Sequence, residues 1–184
     1  MYMDGHTALS LDSNAFRLAA AREAIGSLGL IVAEAEDIIW HMLDFRLTDH
    51  PRIRATAYRK DGEQLSADEK RALGLRSNAF LSRRALAEIT ESGLACPLKA
   101  HEMVLLRASF SVLRYRTIQS VRSAGGLPDT YKYDVLNLSC PACGGLDGKI
   151  TNGDDAYLFA PPRCICETAN YGVILHVDWL ADLD

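Results

Sequence analysis

Apolar residues at Leu28, Ile31, Val32, Ala35, Ile38, Ile39, Met42 and Leu43 recur at three- and four-residue spacing, the stripe of an amphipathic helix turned toward a core or a partner helix. Asp12 or Ser13 can cap a helix that begins near Asn14, and Gly26 and Gly29 can divide it. A second stripe, Leu105, Ala108, Val112, Tyr115 and Ile118, predicts a long helix that opens at Pro97 and runs to about Ser123. Gly125, Gly126 and Pro128 then stop it. Between the stripes, "LSADEKRAL" is a helix start in which Ser66 and Glu69 form a capping box. Asn78 can start a further helix that Gly93 closes. The segment "HPRIRATAYRKDGEQL" breaks the helical period. Ile53, Ala55 and Ala57 alternate with Arg52, Arg54 and Thr56, and Asp61-Gly62 is a turn signal, which predicts a short strand or extended arm.

After Pro128 the pattern changes to period two. "YKYDVLNLS" predicts a strand with Tyr131, Tyr133 and Val135 on one face, and "YGVILHVDWL" predicts another. The intervening segment is rich in Gly, Pro, Asn and Asp. The expected fold class is α+β: a mainly helical body over residues 1–126 and a small, Cys-rich, zinc-ribbon-like β module over residues 127–184. No internal repeat or low-complexity tract interrupts either part.

At 184 residues and 48% hydrophobic composition the chain can bury a proper core. A net charge of −4 excludes a wholly basic, nucleic-acid-coating protein, although local cationic faces remain open. Arg107 and Arg114 lie seven apart on the long helix, and Arg52 and Arg54 sit on the expected arm. With the apolar stripes packed together, these arginines are expected to face outward, toward acidic neighbours or DNA. The N-terminus lacks the pattern of a signal peptide and no apolar run approaches a membrane span, so synthesis in a reducing cytosol and no membrane association are expected.

That expectation sharpens the chemistry of the cysteines. Four of the five fall in "CPACGGLDGKI" and "RCIC", at Cys140, Cys143, Cys164 and Cys166. Cys-Pro-X-Cys-Gly is a tight turn whose glycine supplies a positive φ where one is needed. Twenty residues then lead to the second pair, near the spacing of a C-x2-C…C-x2-C zinc ribbon. The second pair departs from that rule, with one residue between its cysteines, so its turn is distorted or His176 replaces one ligand. Four thiolates suit tetrahedral zinc in a closed, structural site. A small Gly-rich module also needs the folding free energy that zinc supplies, on the order of 10 kcal/mol. Disulfides formed after export inside a particle, and free buried thiols, are the other fates open to these residues. Cys96, in "LACPLK", is expected to be a small buried residue.

The same segment resembles the C-terminal signature of the phage Mu F-like head morphogenesis family. Cys140, Cys143, Leu146, Asp147, Gly148, Pro161, Pro162, Cys164 and Cys166 match it residue by residue, and the likeness covers about residues 105–168. The family usually carries a His and a Pro between its prolines and its last cysteines, whereas this chain runs "PPRCIC" directly. The resemblance implies a minor virion protein of the head or portal region, made in the host cytoplasm and without shared catalysis. Its partners would be portal, capsid or neck proteins, or packaged DNA, within an oligomeric assembly.

No catalytic set opposes that expectation. His176 and Asp178 would share a strand face, "NGDDAY" reads as a turn, and His41, His50 and His101 are isolated on helices or helix ends. Without a phosphate loop, nucleophile elbow or paired carboxylates, the chain reads as a non-enzyme. A zinc-ribbon regulator that binds nucleic acid is the alternative, but "LDGKITNGDDAYLF" is acid-rich and holds one Lys. An effector carried with a particle is a third reading that no residue set in the body supports. The expected contact anchors are Tyr131, Tyr133, Trp179 and Leu180, at the edges of the β module.

Overall fold

The computed structural model describes residues 8–44, 50–136, 138–164, 166 and 171–178. About half of the chain is helical, and a small antiparallel sheet lies near the C-terminus, which makes the fold α+β. Two compact units divide it: Arg17–Ser109, and Met1–Phe16 together with Phe110–Asp184. The change of pattern after Pro128 suggests a boundary at 126; the bounds of the two compact units fall inside helices. Residues from Phe110 onward join the cysteine-bearing unit because their side chains bond to its loops. Among the described residues, no helix is long and apolar enough to cross a membrane.

α1 (Ser13–Leu28), most of which belongs to the Arg17–Ser109 unit, ends where Gly29 takes φ +62°, a left-handed conformation that glycine adopts without a Cβ penalty. The first apolar stripe is then carried by three different structures. Ile31 bridges to Ile89, Ala35 closes a 3-10 turn (Ala33–Ala35), and Ile39 lies in α2 (Glu36–Met42). Ile31, Ala35, Ile39 and Leu43 are all buried, so the stripe marks the core although one continuous helix does not form.

The expected extended arm is instead a helix, α3 (Pro51–Lys60). Pro51 sits in its first turn, and the Nδ1 of His50 accepts a hydrogen bond from the Arg52 amide at 3.1 Å. The alternation that suggested a strand came from Ala55 and Ala57, which favour helix, and from Ile53, which is exposed. The capping box forms as read: Ser66 Oγ accepts from the Glu69 amide and Glu69 Oε2 from the Ser66 amide, opening α4 (Ala67–Ala72). The helix expected from Asn78 begins later, as α5 (Arg83–Ala87) capped by Ser82. The preceding backbone is committed elsewhere. The Leu65 amide donates to Leu81, and the Ser82 amide donates to Arg59.

The long helix forms as α6 (Ala100–Ala124), and its stripe residues Leu105, Ala108, Val112, Tyr115 and Ile118 are all buried. Its arginines do not project outward as expected. Arg107 is 4% exposed and pairs with Glu23 at 3.0 Å; Arg114 is 1% exposed. Arg107 meets a half-buried carboxylate and Arg114 buried carbonyls, so a seven-residue spacing that reads as a solvated face is an inward one.

The second unit holds the sheet, with strand order β2-β1-β3 and antiparallel pairing throughout. β1 is Thr130–Val135, β2 is Ile150–Asn152 and β3 is Tyr171–Leu175. Tyr131, Tyr133 and Val135 point inward, as the period-two pattern predicts. Burial removes Tyr131 and Tyr133 from the role of surface anchors; Trp179 and Leu180 lie outside the described residues. Phe16 stacks on Tyr115 and Phe159, with centroids 4.2 and 5.3 Å away, and this aromatic layer forms part of the core of the unit.

Candidate metal centre

The first cysteine pair is set by one helical turn, α7 (Pro141–Gly144). Cys140 is its extended N-cap and Pro141, whose φ is preset, opens the turn. The Gly144 amide donates to the Cys140 carbonyl at 2.7 Å and the Leu146 amide to the Cys143 carbonyl at 2.9 Å. Gly144 is required here for a reason other than positive φ, since only Gly148 in this segment takes a positive φ, of +70°. A Cβ on Gly144 would stand 2.6 Å from the carbonyl oxygen of Leu138, which is backbone and cannot swing away.

The Leu-Asp-Gly that follows ties the turn to the sheet. Asp147 Oδ1 accepts from the Val135 amide at 3.2 Å, and the Gly148 amide donates to the Tyr133 carbonyl at 3.1 Å. The second arm comes from a turn over Pro161–Cys164, closed by the Cys164 amide donating to the Pro161 carbonyl at 3.0 Å. Pro162 occupies its second position and Arg163 its third, where φ is +65°. This is a type II pattern, in which the third position favours glycine.

The two arms bring all four sulfurs together. The Sγ atoms of Cys140, Cys143, Cys164 and Cys166 lie within 4.8 Å of one another. Cys143 is 3.4 Å from Cys164 and 3.8 Å from Cys166, and Cys140 is 4.0 Å from Cys164. A tetrahedron with metal–sulfur bonds of about 2.3 Å has sulfur–sulfur edges of about 3.8 Å, so the donor set fits one ion. A disulfide needs about 2.05 Å, and none of the five cysteines is joined in one. The one-residue spacing of the second pair is therefore no obstacle: the type II turn sets Cys164, and Cys166 reaches the same point.

Cys140, Cys143 and Cys166 are buried and Cys164 is partly exposed. Burial pushes the Cys143 thiol far above its ordinary range, and the neighbouring Cys164 thiol adds to this. A cation between the sulfurs reverses that balance, because it stabilises the thiolates that burial disfavours. The four-cysteine set leaves out His176, whose backbone amide donates to the Thr130 carbonyl at 2.8 Å. β3 ends at Leu175, before His176 and Asp178, so these two do not share a strand face.

The other sequence candidates have structural roles. Asn152 and Asp155 close the "NGDD" turn on each other: the Asp155 amide reaches Asn152 Oδ1 at 2.9 Å, and Asn152 Nδ2 reaches Asp155 Oδ2 at 2.7 Å. Asp154 pairs with Arg122 at 2.8 Å, and the same guanidinium holds Asp129 at 2.6 Å. Cys96 is exposed, contrary to expectation, because it caps the 3-10 turn Gly93–Ala95 in the loop before α6.

His101, isolated in the sequence, is fully buried, with Nε2 2.8 Å from Glu88. The Tyr58 hydroxyl donates to the same carboxylate, and burial raises the Tyr58 pKa well above its ordinary value. The signal was available, since His101 lies four and seven residues before Leu105 and Ala108 of the buried stripe. Comparison of the chain with protein-family profiles, with curated proteins and with solved structures gave no match.

Proposed function

We propose that the chain is a structural or assembly protein of a phage or phage-like particle, in which Cys140, Cys143, Cys164 and Cys166 hold one structural zinc ion. The observation that carries the zinc reading is the convergence of four sulfurs within 4.8 Å of one another. Four protein ligands complete a tetrahedron and leave no open position, which favours a structural site over a catalytic one. The ion would supply cross-linking free energy to a module of three short strands and one helical turn. The chain's own residues do the rest. α7 presents Cys140 and Cys143, Asp147 and Gly148 fasten that turn to β1, and the Pro161–Cys164 turn delivers the second pair.

The particle reading rests on the resemblance of the signature residues to the Mu F-like head proteins. Each signature residue described above for its bonding has a place in holding the module, which supports reading the motif as architectural. Burial of Arg107 and Arg114 takes two arginines away from a DNA-facing role and favours protein partners such as portal, capsid or neck subunits. The test is co-sedimentation of the chain with assembled particles. Wild type should travel with them, and Cys143→Ser should not. A zinc-loaded chain that stays behind and instead binds duplex DNA, with steep salt dependence, would overturn this reading in favour of a zinc-ribbon regulator.

A further inference from the structure

The solvent face of the sheet carries a pattern that the metal centre does not use. Antiparallel register sets Ile150, Lys132 and Ile174 side by side in one row across the three strands. Both isoleucines are more than half exposed, at 56% and 51%. One step along, the next row pairs Asp134 with Gly172. A Cβ built on Gly172 meets nothing within 4 Å, so this row has an open notch where the other has a side chain. Leu136, 67% exposed, follows Asp134 just past the end of β1. An antiparallel sheet with one face in water normally alternates polar residues outward. Here the outward face has a ridge of apolar knobs around a cation, beside a groove that contains an anion.

We propose that this face binds a second copy of the same chain. Consider a two-fold axis lying between two such sheets, directed across the strands at the level of Tyr133. It reverses the strand direction and turns the faces toward each other. Lys132 of each copy then stands over Asp134 of the other, and Ile174 of each enters the notch at Gly172 of the other. Every contact occurs twice, as a closed isologous dimer requires, and face-to-face sheets pack at about 10 Å, within reach of these side chains. The charge order Lys-then-Asp along β1 complements itself only in this antiparallel arrangement. A parallel overlay would oppose like charges.

Three short strands offer well under the roughly 800 Å² per partner of a standard interface. The dimer is therefore weak, with Kd on the order of 10 μM or above. Such a contact operates where copies are concentrated, as they are in an assembly. The inference stands apart from the metal centre and the particle reading, and its failure would leave both untouched.

The experiment is sedimentation velocity of the full chain, from about 5 to 500 μM, a range that brackets an affinity of this order. Each variant is first checked for the circular dichroism spectrum of wild type, so that loss of the module is not mistaken for loss of the contact. Wild type should show a concentration-dependent monomer–dimer exchange. Lys132→Asp and Asp134→Lys should each weaken it by about 10-fold or more, and the double exchange should recover most of the loss, because the charges again face opposite partners. Gly172→Val should abolish it while leaving the thermal midpoint unchanged or raised, since valine suits a strand and the notch has room in the monomer. A chain that stays monomeric throughout, a dimer indifferent to these changes, or a double exchange that recovers nothing would each overturn the proposal.

Discussion

The guanidinium of Arg114 lies over the ring of Tyr171, 4.1 Å from its centroid, and donates to the carbonyl oxygen of the same residue at 2.9 Å. Its Nε reaches the Leu158 carbonyl at 2.8 Å and its Nη2 the Ser111 hydroxyl at 3.1 Å. One buried side chain on α6 thus fixes both the start of β3 and the loop that leads toward Cys164. Tyr171 extends the network, its one hydroxyl proton shared between the carbonyls of Tyr157 and Phe159.

Arg114→Ala should destabilise the cysteine-bearing unit by about 3 kcal/mol or more, because two buried carbonyls lose their donor and the ring loses its cation. Arg114→Lys should recover little, since a single ammonium cannot span three acceptors as the planar fork does. Urea unfolding monitored by tyrosine fluorescence measures both; a lysine variant as stable as wild type would show that charge alone matters.

Arg163 is strained in the third position of the Pro161–Cys164 turn, at φ +65°. Arg163→Gly should stabilise the chain by about 1 kcal/mol through relief of that left-handed conformation. Denaturant midpoints at matched zinc loading check it, and a destabilised glycine variant would assign Arg163 a contact role instead.

Gly144→Ala should have the opposite effect. The added methyl group would collide with the Leu138 backbone at 2.6 Å, so the first cysteine turn must open. The expected result is a large fall in zinc occupancy with the Arg17–Ser109 unit still folded. Full occupancy in this variant would mean that the Leu138 backbone can yield.

Acid should loosen α4 through Glu69. The Arg83 guanidinium, followed by the hydrogen bonds with Ser66, holds the Glu69 carboxyl down at about 2. Because the folded value lies below the ordinary 4.5, the contribution is fully present above about 4.5 and is lost as pH falls through about 2. Glu69→Gln should flatten the acid limb of the stability profile over that window. An acid limb identical to wild type would place the dependence on other carboxylates.

Much of this architecture is legible in the sequence where one local rule acts alone. The Ser66–Glu69 box, the α6 stripe and the inward face of β1 each follow from spacing and agree with the tertiary structure. Pattern and structure part where two rules compete. Residues 52–57 alternate like a strand, yet the alternating apolar residues include two alanines and the segment opens on a proline, so helix wins. Arg107 and Arg114 look like a solvated pair because charge is the strongest cue to exposure. Their burial depends on Glu23, Leu158 and Tyr171, partners far away in the chain that spacing cannot reveal. The cysteines were legible as a set, but the turn that lets a one-residue spacing work depends on Arg163 adopting a backbone conformation its residue type disfavours.

The closed four-sulfur zinc site is tested by elemental analysis of the purified chain combined with thiol titration before and after chelation. The expected result is about one zinc per chain and one rapidly reacting thiol, that of the exposed Cys96. Four further thiols should become reactive as zinc is withdrawn, together with loss of the β module's structure. A chain that carries no metal and either exposes its thiols in the folded state or has oxidised Cys140, Cys143, Cys164 and Cys166 to disulfides would contradict it.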